Sequence, residues 1–125
     1  MADLRRRAEP TCHSEKPNPT LATFRHNWGS EASTPVGSHP AGASPYGLLD
    51  MGGNVWEWCE DWFDPKYPEV SPKKDPLGPA TGRRHVVKGG SWDSRPSVLS
   101  ASSRNFGYLG YREGDFGFRC AADPP

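Results

Sequence analysis

The stretch GNVWEWCEDWF, residues Gly53 to Phe63, decides how this chain folds. It sets three tryptophans and a phenylalanine among three acidic side chains, and its alternation predicts a β-strand. One face of that strand would carry Val55, Glu57 and Cys59, and the other Trp56, Trp58 and Glu60. Because both faces hold large groups, we expect a central strand whose tryptophans, including Trp62, fill or cover the core.

Composition sets the fold class around this strand. A chain of 125 residues is the size of one domain. Only 34% of the residues are hydrophobic, and 14 glycines and 14 prolines interrupt the chain, so long amphipathic helices are not expected. We predict an α+β domain that is mostly irregular, with short β-strands and little regular secondary structure.

The rest of the chain divides into an arm and a domain. Residues 1–21 are polar and broken by prolines, which predicts an extended polar arm in front of a domain at residues 22–125. Further strands are predicted at HVVKGGSW (85–92), SVLSASSRNF (97–106) and DFGFRCA (115–121). The Gly89–Gly90 pair indicates a bulge or a close backbone approach. Phe116 and Phe118 are predicted to lie in the core.

Net charge argues against two classes of partner. Lys and Arg number 15 and Asp and Glu also number 15, so no global field would steer the chain to nucleic acid or to a membrane. We find no apolar run of membrane-spanning length and no hydrophobic segment of a signal peptide after MADLRRRAEP. The sequence therefore predicts a cytoplasmic protein without nucleic-acid or membrane partners.

The cysteines and serines give no catalytic signature. Cys12, Cys59 and Cys120 form no CxxC pair, which favours free thiols, with Cys59 and Cys120 as small buried hydrophobic residues. A Cys12–Cys120 disulfide joining the two ends stays open. Scattered cysteines and histidines lack the spacing of a zinc site, and the chain has no GxSxG elbow of a serine hydrolase.

The segment YGLLDMGGNVWEW (46–58) offers oxygen ligands to a hard cation. Asp50, Asn54 and Glu57 carry side-chain oxygens, and the glycines allow sharp turns that would point carbonyls inward, as calcium requires. The alternative is that Asp50 caps a turn and Glu57 pairs with an arginine, namely Arg104, Arg112 or Arg119. From the residues alone, the arginine partner is the favoured interpretation.

A second segment, RNFGYLGYREGDFGFR (104–119), displays aromatic residues among glycines. Phe106, Tyr108 and Tyr111 stand beside charged residues, a mixture that is typical of binding surfaces because it offers contact area at low entropic cost. The alternative is that these aromatic side chains fill the core of a glycine-rich fold. Both interpretations remain open at the level of the sequence.

Three segments in order, YGLLDMGGNVWEWCEDWF, VVKGGSW and DFGFRCAAD, resemble the formylglycine-generating enzyme family, also called sulfatase-modifying factors. The resemblance covers residues 22 to 123 and implies a C-type-lectin-like fold. It also implies that the amino-terminal part of the usual family domain is missing from this chain.

The resemblance implies a structural calcium site on the first of these segments. By position, the ligands would be the side chains of Asp50 and Glu57 and the backbone carbonyls of Gly53 and Val55. With the resemblance, calcium becomes the favoured interpretation of this segment.

The same resemblance argues against the family's oxidase chemistry. The oxidases use two active-site cysteines that bind copper(I), and the matching positions here are Ser94 and Leu99. A hydroxyl and an isobutyl group cannot replace two thiolates as ligands of a soft ion, so we expect neither copper nor a catalytic residue. Trp56 and Ser91 match positions near the family's substrate cleft, which implies that a groove persists.

We therefore expect a non-catalytic scaffold that binds a peptide, protein or carbohydrate ligand. The predicted ligand-binding residues are Trp56, Ser91, Trp92, Ser94, Arg95, Arg104, Phe106, Tyr108 and Tyr111. One alternative is a variable protein of a diversity-generating retroelement, with residues 93–115 as its variable face. Another is an oxidase that converts a substrate cysteine to formylglycine. A shortened domain would also expose apolar surface, which predicts a homo-oligomer.

Overall fold

The computed structural model describes residues 18–24, 32–100 and 102–122. Within these ranges the chain forms four short strands, β1 (Trp56–Trp62), β2 (Arg84–Lys88), β3 (Asn105–Tyr108) and β4 (Phe116–Gly117). One short helix, α1 (Tyr67–Val70), and two 3-10 turns at Pro40–Gly42 and Pro96–Val98 are the helical elements described. The predicted class, short strands in a mostly irregular chain with few helices, is confirmed.

The four strands form one sheet in the order β3-β2-β1-β4. β1 runs antiparallel to β2, with Glu57 opposite Lys88, and parallel to β4, with Trp56 opposite Phe116. β2 and β3 are antiparallel. The prediction that the tryptophan-rich segment forms a central strand is therefore confirmed, and a register shift between Trp58 and Trp62 marks a bulge in it.

The core beneath the sheet is small. Its buried hydrophobic side chains are Phe24, Trp56, Val86, Val87 and Leu99. Trp58 is only half-buried, and its ring packs 5.5 Å from the Phe116 ring across β1 and β4. A Cβ at Gly107 would overlap the Trp58 ring, so β3 needs a glycine here to let the indole lie against it.

The loop in front of β1 is a junction of several chain segments. The Gly53 N–H donates to the Gly89 carbonyl, and the Asn54 N–H donates to the Thr23 carbonyl, each over 2.8 Å. The Asn54 side chain is buried and exchanges two hydrogen bonds with the backbone of Thr34. Asn54 is thus committed to joining loops, which its amide can do because it offers both a donor and an acceptor.

Two predicted strands differ from the structure. The described residues between 97 and 104 do not form a strand: Pro96 begins a 3-10 turn, and the Ser100 hydroxyl accepts the Ser103 N–H over 3.1 Å. Such local side-chain bonds compete with sheet pairing, and β3 starts only at Asn105. The final strand is also shorter than predicted, because only Phe116 and Gly117 pair with β1.

Two predictions of burial are wrong for the same reason. Phe118, expected in the core, is 79% exposed because it lies beyond the two residues of the edge strand β4 that pair with β1. Cys120 is exposed as well, whereas Cys59 in the central strand is half-buried. Both thiols are free, as predicted; Cys12 lies outside the described residues. Burial, helped by Asp61, raises the pKa of Cys59.

None of the helices in the described ranges is long and apolar enough to cross a lipid bilayer. The predicted polar arm, residues 1–21, lies largely outside the described residues.

Candidate ligand-binding cavity and the Arg119 cavity

A cavity of about 510 Å³ opens beside the sheet, and we call it the aromatic cavity. Its lining combines side chains from β1, β3, β4 and the loops after β2 and β3. Five of the predicted ligand-binding residues line it, namely Trp56, Trp92, Phe106, Tyr108 and Tyr111. Three acidic residues that the sequence analysis did not assign to the site, Asp93, Glu113 and Asp115, line it too.

Backbone bonds hold the walls of the aromatic cavity together. The Trp56 N–H donates to the Asp115 carbonyl over 2.7 Å, which ties the loop before β4 to the central strand. The Trp92 N–H donates to the Asn54 carbonyl, and its indole N–H points to the Gly114 carbonyl at 3.4 Å. The Tyr111 ring meets Phe116 edge to face at 5.3 Å. These bonds and the ring contact hold Trp56, Trp92 and Tyr111 against the scaffold.

Ser91 and Ser94, also predicted to bind the ligand, do not line this cavity. They are 1% and 8% exposed, and the Ser94 hydroxyl accepts the Ser91 N–H over 2.8 Å. The Ser91 hydroxyl in turn donates to Asp115 Oδ2 over 3.0 Å. The two serines thus form a buried support that positions the carboxylate of Asp115 in the cavity wall.

The two predicted arginines lie apart from the aromatic cavity. Arg95 is exposed in front of the 3-10 turn, and Arg104 is half-buried just before β3. Among the described residues, Arg104 Nη2 is buried without a hydrogen-bond partner. Burial first, and then the charge of Arg104, lower the pKa of the neighbouring Lys88.

In the aromatic cavity the shift of a tyrosine pKa indicates a negative potential. The charge of Glu113 is the main cause that raises the pKa of Tyr111; partial desolvation and the charge of Asp115 act in the same direction. A nearby negative charge disfavours the phenolate, so the raised pKa reports a negative potential beside Tyr111.

Ser94 and Leu99, the positions that the resemblance matches to copper ligands, do lie together. A Cβ at Gly90 would sit 2.7 Å from Leu99 Cδ2 and 3.5 Å from the Ser94 hydroxyl oxygen, so both side chains flank this glycine. The pair supplies one hydroxyl and one hydrocarbon, which do not fit copper(I). In the part of the chain that the structure describes, no three His, Cys, Asp or Glu side chains form a group suited to a metal.

The four predicted calcium ligands, Asp50, Gly53, Val55 and Glu57, line a second cavity of about 520 Å³. We call it the Arg119 cavity, because this arginine also lines it and pairs with Glu57. Arg119 Nε donates to Glu57 Oε2 over 2.8 Å and Nη2 to Oε1 over 2.6 Å. Nη2 also donates to the Leu49 carbonyl over 2.9 Å. This forked geometry is the strongest form of arginine–carboxylate pairing.

Asp50 completes the Arg119 cavity as a turn cap. Its backbone has a positive φ of 55°, and its Oδ2 accepts the Gly37 N–H over 2.7 Å. The structure therefore has the arrangement that the residues alone favoured, with Arg119 as the partner among the three candidate arginines. The hydrogen bond to Glu57 is the main cause that raises the pKa of Arg119 further.

The oxygen atoms that line the Arg119 cavity are arranged to bind the guanidinium of Arg119 rather than a calcium ion. Calcium takes six to eight oxygen ligands, whereas both Glu57 oxygens and one Asp50 oxygen already accept N–H donors. A calcium ion would have to displace Arg119 from Glu57. Calcium binding at Asp50, Gly53, Val55 and Glu57 stays a prediction.

Sequence reasoning named five residues of the aromatic wall of the first cavity singly, but it included the acidic wall only as part of the 93–115 stretch of the alternative variable face. Asp93 is distant in the chain from Glu113 and Asp115, and it lines the same cavity because the loop before β4 folds back towards Trp92. The signal that would have found two of them is the run REGD, which places Glu113 and Asp115 two residues apart directly after Tyr111.

Comparison with known proteins identifies the family of the chain. The chain matches the sulfatase-modifying factor enzyme 1-like domain over residues 8–124. It is 44% identical over 97 residues to the serine/threonine-protein kinase pkn1 of Chlamydia caviae, an alignment that covers 76% of this chain and 15% of the kinase. It is 42% identical over 99 residues to the formylglycine-generating enzyme of Streptomyces coelicolor, covering 76% of this chain and 31% of the enzyme.

Among solved structures, the Treponema denticola variable protein 1 is similar with a TM-score of 0.65 and 31% sequence identity, over 79% of this chain and 34% of that protein. The chain thus spans about a third or less of the length of each of these three proteins. The family match nevertheless extends over nearly all of its 125 residues. The chain belongs to the family of sulfatase-modifying factor enzyme 1-like domains, which includes formylglycine-generating enzymes.

Proposed function

We propose that this chain is a non-catalytic member of its family that binds a peptide, protein or carbohydrate ligand in the aromatic cavity. The observation that carries the proposal is the display of aromatic rings around an open cavity. Tyr108 is 55% exposed and Tyr111 is 46% exposed, although both are large enough to have filled the core. Large aromatic side chains that stay accessible on a fixed scaffold are typical of binding sites.

The side chains around Gly90 support the non-catalytic part of the proposal. Oxidation of a substrate cysteine by the copper enzymes of this family depends, by resemblance, on two thiolates. Ser94 and Leu99 stand in their place, and Ser94 is already bonded to the backbone of Ser91. Neither side chain can deliver the soft sulfur ligands that would hold copper(I).

The likeness to the Treponema denticola variable protein supports the binding class from a separate direction. Most of the lining of the aromatic cavity falls within residues 93–115, the stretch that we interpret as the variable face. We extend the proposal to a C-type-lectin-like fold that presents this stretch as a ligand-binding face, in the manner of a variable protein of a diversity-generating retroelement.

We also propose that the chain self-associates, because it exposes large hydrophobic side chains. Several large hydrophobic side chains are exposed, including Leu77 at 87% and Phe118 at 79%. Sedimentation velocity at increasing concentration would show a dimer or larger species if these side chains pair with a second copy. A monomer at every concentration would contradict it.

A matched pair of tyrosines tests the binding proposal. The wild-type chain is screened on peptide and glycan arrays, and the captured ligand is then titrated against Tyr108→Ala and Tyr46→Ala. Both tyrosines are exposed, at 55% and 79%, but only Tyr108 lines the aromatic cavity. We expect Tyr108→Ala to weaken binding about tenfold or more, as truncation of an aromatic anchor does. Equal effects of the two substitutions would contradict the assignment.

Catalysis is tested in parallel on the same preparation. The chain is loaded with copper(I) and incubated with a CxPxR peptide in air, and the peptide is analysed by mass spectrometry for conversion of cysteine to formylglycine. We expect no product and no stoichiometric tight copper. Turnover would contradict the non-catalytic assignment, whatever the arrays show.

A further inference from the structure

We propose that the ligand of the aromatic cavity carries a cation, the guanidinium or ammonium group of a peptide arginine or lysine, held between Trp92 and Tyr111 and the carboxylates of Glu113 and Asp115. This inference rests on the proposed function and names its ligand class. It depends on the chemistry of the lining, which combines aromatic faces with acidic side chains.

Two carboxylates of the lining carry the argument, those of Glu113 and Asp115, and no Lys or Arg is among the described lining residues of the cavity. Within the described ranges, Glu113 and Asp115 form no ion pair with a basic side chain, whereas Glu57 in the other cavity does. Carboxylates without a counter-charge favour a ligand that brings one.

Asp115 is held in place without losing its charge. Its Oδ2 accepts the hydroxyl of Ser91, a neutral donor that is itself 1% exposed and braced by Ser94. The aspartate is thereby oriented while its negative charge remains available. A carboxylate fixed in advance loses little entropy when a cation binds, so the site is pre-organised for a charge-assisted hydrogen bond.

The aromatic side chains add a second attraction for the same group. The indole of Trp92 is anchored through its N–H to Gly114, next to both carboxylates in the chain. The charge of Glu113 is the main cause that raises the pKa of Tyr111, which indicates a negative potential beside this ring. A cation over the face of a tryptophan or tyrosine is attracted by the ring quadrupole, and a neighbouring carboxylate reinforces that attraction.

The chain itself provides an example of this chemistry on a neighbouring ring. The Arg84 guanidinium lies 4.0 Å from the centroid of the Phe106 ring and 5.2 Å from that of Phe63. Because Phe106 is already engaged by Arg84, we place the ligand's cation at the Trp92 and Tyr111 side of the cavity.

The experiment compares three blocked tripeptides that differ in one side chain. Acetyl-Gly-Arg-Gly-amide, its citrulline analogue and its glutamate analogue are titrated against the 125-residue chain, with the Trp92 indole N–H followed by NMR. Citrulline is a neutral isostere of arginine, so the first two peptides isolate the charge. We expect the arginine peptide to shift the Trp92 signal and to bind at least about tenfold more tightly than the citrulline peptide.

Two further arms identify the source of the affinity. The lysine tripeptide tells an ammonium from a guanidinium, and free arginine amide tells the side chain from the peptide backbone. We expect Glu113→Gln to reduce arginine binding about fivefold or more and to leave citrulline binding unchanged. Glu69→Gln, which removes an exposed carboxylate on α1 outside the cavity, is the control and should change neither.

The outcomes separate this inference from the function on which it rests. Equal binding of the arginine and citrulline peptides, or tighter binding of the glutamate peptide, would overturn the cationic ligand. A shift of Trp92 by a neutral sugar such as maltose, without any effect of the arginine peptide, would overturn it and leave the binding cavity intact. No perturbation of Trp92 by any of these probes or by an array-derived ligand would overturn both.

Discussion

The aromatic cavity and the Arg119 cavity have nearly the same volume, about 510 and 520 Å³, and both are lined by carboxylates. They differ in what balances those carboxylates. In the Arg119 cavity the chain supplies its own cation, which bonds both oxygens of Glu57 and the Leu49 carbonyl. In the aromatic cavity the described lining contains carboxylates and rings but no basic side chain. The comparison teaches that two cavities of similar size in one small domain differ in whether the described chain supplies a cation for their carboxylates, and this difference is the basis of the proposed division into a structural and a ligand-binding cavity.

The largest expected effect concerns the backbone of the Arg119 cavity. Gly53 has a φ of 80°, and a Cβ there would overlap the carbonyl oxygen of Thr23, which is backbone and cannot swing away. We expect Gly53→Ala to lower the free energy of unfolding by about 3 kcal/mol, from left-handed strain plus steric overlap. Urea unfolding of the variant and of the wild-type chain measures this difference in the free energy of unfolding.

Gly47→Ala is the control for that prediction. Gly47 has a similar φ of 79°, but its Cβ would meet no atom within 4 Å. We expect a loss of only about 1 kcal/mol from the backbone conformation alone. Equal losses in the two variants would show that the junction between Gly53 and Thr23 does not hold this cavity together.

The next largest effect is expected from the ion pair between Glu57 and Arg119. Glu57 and Arg119 have side-chain exposures of 20% and 36%, so solvent screens part of their interaction. We expect Arg119→Met to lower the free energy of unfolding by about 1–2 kcal/mol, because Glu57 loses both hydrogen bonds. Adding Glu57→Gln should recover part of the loss, and a double-mutant cycle gives the coupling. Strict additivity of the two substitutions would contradict a structural role for the pair.

The effect of calcium on thermal stability gives a further test of the Arg119 cavity. Because the ion must compete with Arg119 for Glu57, we expect a millimolar calcium concentration to raise the Tm of Arg119→Met by more than that of the wild-type chain. Differential scanning calorimetry with and without a chelator measures both shifts. A larger shift for the wild type would show that calcium, rather than Arg119, is the natural counter-charge of the Asp50–Glu57 segment.

The smallest expected effect is a change in the pKa of Tyr111, which depends on the electrostatic potential in the aromatic cavity. The Glu113 charge is the first cause that raises the pKa of Tyr111, so Glu113→Gln should lower that pKa towards its ordinary value. In the wild type the phenol therefore stays neutral to higher pH than in the variant. Titration of the tyrosine ring by NMR resolves Tyr111 from the other tyrosines. An unchanged Tyr111 pKa in the variant would contradict the negative potential on which the cationic ligand depends.

The sequence predicted those features that depend on local pattern. Alternation around Trp56 and Trp58 predicts β1 and its central place, and the Gly89–Gly90 pair predicts the close approach that is seen where Gly90 meets Leu99. Composition predicts the loop-rich class. Tyr108 and Tyr111, which their glycine spacing predicts to lie either on a binding surface or in the core, are exposed and line the aromatic cavity.

Features that depend on tertiary register were not predictable from one sequence. Three arginines were equal candidates for Glu57, and only the parallel pairing of β4 with β1 brings Arg119 to it. Phe118 has the character of a core residue, but its exposure follows from the shortness of β4. Ser91 supports the site from below rather than touching the cavity, because hydrogen bonds to Ser94 and Asp115 satisfy its buried hydroxyl.

The most direct test of the account is a crystal structure of the 125-residue chain with the arginine tripeptide. We predict electron density for the guanidinium between Trp92 and Tyr111, within hydrogen-bond distance of Glu113 or Asp115, while Arg119 keeps its two bonds to Glu57. Peptide density at the Arg119 cavity, with the aromatic cavity vacant at saturating peptide, would contradict the division of the two cavities into structural and ligand-binding sites.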